Sequence, residues 1–303
     1  MKKCLLALFL ALGLCVFAST AIADVVGDFD DASGAGVDTY PGVAGEGWGG
    51  AWDYRASGGS VSRSLMEYGD TDYNAFDADN DNYLRFKVTN SGTGKGCVMR
   101  SYMGTSSDVD YAEDYTIAFS FRGDDMSTFG SGSYFNFYGD PDKEYNITTD
   151  STFQIRVVGA SSTDATRNCQ WYFSDGDNAG GNTAETAWSG VYLVEGHVYD
   201  FLLTMHPEAK TWDVTVTDRD FDINEVPSTA IADPVASSTT IGLGWRGPND
   251  GEYLSFSGRA YNSSTSLTGS VDNIRIAQVA VPEPSTLVLL AGALLGLLIW
   301  RRK

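Results

Sequence analysis

Histidine is nearly missing from this chain: there are two in 303 residues, His197 and His206. A zinc site with several imidazole ligands is therefore excluded, and no H-E-x-x-H motif occurs. There is no G-x-S-x-G either, which removes the usual strained serine nucleophile. Cysteine is almost as scarce, four in all, with Cys4 and Cys15 in the opening apolar stretch and no C-x-x-C pair, so dithiol redox chemistry has no seat. Positive charge is the next shortage. Twenty Lys and Arg stand against forty Asp and Glu, a formal net charge of −20. Such a surface repels nucleic acid, and nucleic-acid binding is the first function it excludes. Helical periodicity is lacking through the long middle of the chain, which excludes bundles and alternating α/β folds.

What the chain does have is two apolar ends. Lys2 and Lys3 precede an apolar run from Leu5 to Phe17, and Ala21-Ile22-Ala23 supplies a small-x-small cleavage site, so residues 1–23 are expected to be a secretory signal peptide. Cys15 follows Leu14, where a lipoprotein would need a small residue. Near the other terminus, Thr286 to Trp300 is fifteen residues without a charge. As a helix this spans about 22 Å at ~1.5 Å per residue, against a hydrocarbon core of about 30 Å. It could insert with local thinning, with Trp300 and the arginines at the interface. Arg301, Arg302 and Lys303 then face the cytoplasm, and everything between the two apolar segments lies outside.

The end of the chain resembles a known signal. Val281-Pro282-Glu283-Pro284-Ser285, a short apolar segment holding Gly292 and Gly296, and Arg301-Arg302-Lys303 follow one another as in the PEP-CTERM sorting signal of Gram-negative exported proteins. The resemblance implies an inner-membrane precursor processed by an exosortase-type membrane protease near Pro282, Glu283 and Pro284. Delivery to the envelope surface or the extracellular polymer matrix follows. Prolines suit the role physically, because they stop the helix and keep an extended segment accessible at the membrane face. The expected organisation is a signal peptide at 1–23, an ectodomain at 24–278 and a sorting signal at 279–303.

Neither 1–23 nor 287–303 holds an acid, and together they hold five of the twenty basic residues, which leaves fifteen bases and forty acids between them, a formal charge of −25. Within this segment the hydrophobic period is two. Leu84, Phe86 and Val88 alternate with Arg85, Lys87 and Thr89, and Tyr115, Ile117, Phe119 and Phe121 alternate with smaller or polar residues. Comparable runs occur at 133–138, 152–158, 169–173, 197–205, 211–217, 240–245, 253–257 and 271–276, separated by turn clusters such as SDGDNAGGN and GPNDG. The fold class expected is all-β, a two-sheet antiparallel β-sandwich of roughly a dozen strands. GHVYDFLLTMHPEAKTWDVTVTD and SVDNIRIA resemble the central hairpin and last strand of concanavalin A-like jelly rolls of the laminin G-like kind. That resemblance implies a glycan or protein binder, with polysaccharide-cleaving hydrolases or lyases as the alternative, since the fold alone does not choose.

Jelly-roll hydrolases place Glu-x-Asp-x-Glu on one strand so that the acids share a face, and none of the ten Glu residues here has Asp two positions on. Binding is thus the leading reading, a purely structural role the third. Trp171, Trp212 and Trp245 fall in strand patterns and read as core. Trp48, Trp52 and Trp188 lie in Gly-rich or polar stretches, where they either plug the sandwich rim or stack on a sugar ring. FDADNDNYLRF sets Asp77, Asp79 and Asp81 alternately before a strand, which is either a calcium-binding loop or a solvated acidic turn. An EF-hand is excluded, because Asn82 and Val88 stand where Gly and Glu are required. Cys97 and Cys169 survive export processing, as a disulfide or as separate buried thiols.

Overall fold

The computed structural model of the chain describes residues 24–27, 29, 48, 52–76, 81–102, 109–141, 150–160, 169–177, 185–226, 233–261 and 265–279. A compact unit runs from Ala23 to Gln278. The described residues contain no helix. They form thirteen strands: β1 (Val25–Gly27), β2 (Asp53–Met66), β3 (Tyr83–Ser101), β4 (Tyr115–Asp125), β5 (Tyr134–Asp140), β6 (Gln154–Val158), β7 (Gln170–Asp175), β8 (Glu185–Tyr192), β9 (Val198–His206), β10 (Thr211–Asp218), β11 (Ser237–Gly244), β12 (Tyr253–Arg259) and β13 (Ser266–Gln278). Residues 1–23, expected to be a signal peptide, the sorting motif residues Pro282, Glu283, Pro284, Arg301 and Arg302, and the apolar segment 286–300 lie outside the described residues. Among the described residues no helix is long and apolar enough to cross a membrane.

Every strand pairing is antiparallel, in the order β11-β10-β9-β4-β13-β3-β12-β5-β6-β7-β8, with β1 on β13 and β2 on β3. The long strand β3 is the joint of this arrangement. Its first half, Leu84 to Thr89, pairs with β13, and its second half, Lys95 to Ser101, pairs with β12, while β2 follows it along the other edge. Two layers result, one carrying β9, β4 and β13, the other carrying β12, β5, β6, β7 and β8.

Aromatic rings fill the space between the layers. Phe119 of β4 meets Phe137 of β5 at 5.5 Å and Phe256 of β12 at 5.1 Å, and Phe121 meets Phe135 at 5.0 Å. Phe201 of β9 meets Trp171 of β7 at 5.0 Å. All are buried. Each such side chain withdrawn from water contributes about 1.5–3 kcal/mol, and edge-to-face ring pairs add ~0.5–1.5 kcal/mol. In β10 the alternation is clean: Trp212, Val214 and Val216 point inward while Asp213, Thr215 and Thr217 do not. Strand β5 breaks that rule. All seven of its residues are buried, polar Asn136 and Asp140 included. Its outward side is therefore not an ordinary solvated face.

Candidate functional site

Pairing register assembles the outward side of the second layer. Across seven strands the directly opposed residues are Arg55, Cys97, Ser257, Asn136, Arg156, Tyr172 and Trp188. Opposed residues share a face, and their row crosses the layer at ~4.8 Å per strand, roughly 29 Å in all. Phe256, Phe137, Ile155 and Phe173, each one position along its strand, point the other way into the core. A one-residue slip would exchange the two sets, so the buried aromatic face fixes this row in place.

The end of the row depends on a bulge. Between β7 and β8 the register shifts, and Gly190 takes φ 78°, a left-handed conformation that suits glycine. Ser189 supports the bulge by donating its Oγ proton to the Trp171 carbonyl at 2.8 Å. Trp188 is thereby set against Tyr172, ring centroids 5.0 Å apart, and is 37% exposed. An aromatic pair with one open face can stack on the apolar side of a sugar ring.

Beside this platform lies a hydrogen-bonded floor. Gln154 Nε2 donates to Asn136 Oδ1 at 2.8 Å, while Gln154 Oε1 accepts from Ser174 Oγ at 2.8 Å and from Arg246 Nη1 at 2.6 Å. Asn136, Gln154, Ser174 and Arg246 are all buried. Tyr134 sits one step along β5, with the Arg156 guanidinium carbon 4.1 Å from its ring centroid and that of Arg259 at 6.0 Å. Burial lowers the Arg246 pKa, and the Arg156 charge lowers it further. Burial also lowers that of Lys95, with Arg259 and Arg156 adding to it. The face thus concentrates cations on a chain that is otherwise strongly acidic.

The residues expected from sequence are scattered by the fold. Trp188 alone among the three stacking candidates presents an open ring. Trp48 and Trp52 are 8% and 2% exposed, pack at 5.7 Å from each other, and have the Arg100 guanidinium 4.6 Å from the Trp48 ring. They plug the sandwich between Phe29 and Phe256, so stacking on a ligand is corrected to a structural role for both. Asp77 and Asp79 lie outside the described residues, and the Asp81 carbonyl accepts the Tyr73 hydroxyl proton at 2.7 Å. Among the described residues no group of three His, Cys, Asp or Glu could hold a metal ion.

Cys97 and Cys169 are separate free thiols. Three strands stand between β3 and β7, about 19 Å of sheet at ~4.8 Å per strand, whereas a disulfide needs Cα atoms about 4.4–6.8 Å apart. The bridge is corrected accordingly. Burial pushes the Cys97 thiol up to about 12 and raises Cys169 as well, so neither is reactive. The two histidines are also apart: His197 lies between Asp218 at 3.0 Å and Glu225 at 2.7 Å, His206 between Asp114 at 2.9 Å and Asp213 at 3.4 Å.

Sequence reasoning did not single out Asn136, Gln154, Arg156, Tyr172, Arg246 or Arg259. A partial signal was present in YFNFYGD, QIRVV and QWYFSD, three strands whose second face carries tyrosines, amides and an arginine.

Residues 280–303 match the PEP-CTERM protein-sorting motif. No curated protein matches the chain. Among solved structures, the catalytic domain of a GH131 beta-glucanase from Podospora anserina is similar, with TM-score 0.50 and 9% identity over 86% of this chain and 97% of that one. The catalytic domain of a glycoside hydrolase family 131 protein from Coprinopsis cinerea gives 0.47 and 10% over 84% and 94%. The Emp47p carbohydrate recognition domain gives 0.43 and 12% over 86% and 97%. At such identities the likeness concerns the fold. The chain thus carries a jelly-roll β-sandwich followed by a PEP-CTERM sorting motif, which implies an exported surface protein recognised by exosortase, a membrane protease.

Proposed function

We propose that the protein is a surface or extracellular-matrix component that binds a polysaccharide along the outward face of β12, β5, β6, β7 and β8. Trp188 stacks on the ligand, backed by Tyr172, and the buried network of Asn136, Gln154 and Ser174 holds the face from beneath. One observation carries the reading: the exposed Trp188 ring stands in the same lateral row as Tyr172, Arg156 and Asn136. The clefts on the other layer are less suited. One of about 390 Å³ mixes Arg85 and Lys87 with Asp72, Asp124 and Asp125, so it offers no surplus of positive charge.

The test is a glycan array probed with the full chain in non-ionic detergent. Binding that falls about tenfold on Trp188→Ala, at an unchanged melting temperature, supports the reading, since one stacking contact contributes ~1.4 kcal/mol. Silence across a broad panel refutes it in favour of a purely structural component. Release of reducing sugar or of unsaturated ends from a bound polymer would turn the same site into that of a polysaccharide-degrading enzyme. Intact mass of the protein recovered from its native surface tests the sorting half, with cuts expected after Ala23 and near Pro282, Glu283 and Pro284.

A further inference from the structure

We propose that the polysaccharide this face takes is acidic, a polymer bearing carboxylates that Arg156 and Arg259 engage from either side of Tyr134. This rests on the glycan-binding reading of the same face and narrows it. The two arginines flank β5, Arg259 from β12 directly opposite Tyr134 and Arg156 from β6. Both are partly exposed. Among the described residues neither forms an ion pair, and the Nε of each is buried without a hydrogen-bond acceptor.

In a chain with forty acids to twenty bases, two neighbouring, partly exposed guanidiniums without a carboxylate partner are open to an anion from outside. Five described arginines do pair with a carboxylate, among them Arg122 with Asp124 at 2.6 Å, Arg219 with Asp200 at 2.6 Å and Arg55 with Asp53 at 3.2 Å. Arg156 and Arg259 have Tyr134 between them instead. A ring face tolerates a cation while leaving the guanidinium edges and their N–H groups to other acceptors.

Two further cations crowd the pair. Lys95 is directly opposite Arg259 across β3 and β12, and Arg246 reaches the floor through Gln154. Like charges gathered this closely oppose folding, and an anion bound to the exposed guanidinium edges removes that opposition. A carboxylate matches a guanidinium edge in a planar, two-point geometry. The spacing along a lateral row suits carboxylates repeated along a polymer that also lies over Tyr172 and Trp188. Distant acids of the same chain repel any polyanion, so the local cluster would choose its partner at short range and with strong dependence on salt.

The experiment is isothermal titration of the full chain in non-ionic detergent with polygalacturonate, alginate and hyaluronate, each paired with its methyl ester, together with neutral glucans and an oligodeoxynucleotide. The expected result is binding to at least one acidic polymer, weakened tenfold or more by esterification and again by raising NaCl from about 50 to 500 mM. Arg156→Gln and Arg259→Gln should each cost about tenfold, with lysine at either position retaining part of the affinity. Melting temperatures of the glutamine variants should be unchanged or raised, which separates lost binding from lost folding. Equal affinity for acid and ester, or binding only to neutral glucan that Trp188→Ala abolishes and the arginine variants do not, overturns the proposal while the glycan-binding reading stands. An oligodeoxynucleotide bound as tightly as the best uronate overturns it too. No binding to any polymer removes both.

Discussion

Replacing Gln154 by Glu changes one atom of the floor and inverts its electrostatics. Gln154 Oε1 already accepts from Arg246 Nη1 at 2.6 Å and from Ser174 Oγ at 2.8 Å, and a carboxylate oxygen can keep both bonds. The Nε2 donor to Asn136 Oδ1 is lost, but Asn136 can turn its amide and donate instead. A carboxylate about 4 Å from the Arg246 charge gains roughly 4 kcal/mol at an effective dielectric near 20. Burying the carboxylate costs several kcal/mol, so the two nearly cancel and stability should move by less than about 2 kcal/mol. Binding should not be spared. A new negative charge roughly 8 Å from a ligand carboxylate costs about 2 kcal/mol at the same dielectric, some thirtyfold in affinity. Urea unfolding measures the first quantity and titration with the best acidic polymer the second. Native affinity in the variant, or destabilisation well beyond 3 kcal/mol, would refute the account of this floor as a cation-rich and adaptable network.

Three other outcomes follow from the same structure. Phe137→Ala removes a ring that touches Phe119, Phe121, Trp171, Phe201 and Phe256, and should cost about 3–5 kcal/mol in denaturant unfolding. Burial pulls the His197 pKa down, but the hydrogen bonds and charges of Asp218 and Glu225 outweigh it and raise the value above the ordinary 6.5. Its contribution to stability is therefore complete below about pH 6.5 and lost as pH rises through the raised folded value, at no more than ~1.4 kcal/mol per pH unit. His197→Gln should flatten that part of the pH profile of the melting temperature, and an unchanged profile would show the pair to be energetically silent. If residues 77–81 are a solvated acidic turn, thermal melts in calcium and in chelator will coincide; a midpoint raised by several degrees in calcium would make Asp77, Asp79 and Asp81 a cation site instead.

Much of the scaffold was legible because its inward faces obey a period of two. Tyr115, Ile117, Phe119 and Phe121 marked β4, Trp212, Val214 and Val216 marked β10, and Trp171, Trp212 and Trp245 are buried, the last just past the end of β11. The hidden strands are those whose burial does not alternate. In β2, DYRASGGSVSRSLM, the outward residues are small, polar or basic and Gly58 has φ 65°, so pattern and propensity both read as loop. In β8, ETAWSGVY, the bulge at Gly190 breaks the period just after Trp188. Propensity was overridden in both by long pairing to a partner strand whose own pattern is clear.

The site was harder to read than the scaffold for a reason that lies in the topology. Its row takes one residue from each of seven strands, and Arg55 and Ser257 stand some two hundred positions apart in sequence. No local motif can report such a grouping, because only the order β3-β12-β5-β6-β7-β8 makes those residues neighbours. Net charge misleads in the same way. A total of −20 describes the average surface and excludes partners that meet the whole molecule, whereas Arg156 and Arg259 lie 4.1 and 6.0 Å from the Tyr134 ring and Arg246 is bonded to Gln154. At that range near charges outweigh the screened sum of distant ones. On the proposed reading the acidic exterior discourages polyanions elsewhere and leaves them the face where these cations and the exposed Trp188 ring meet.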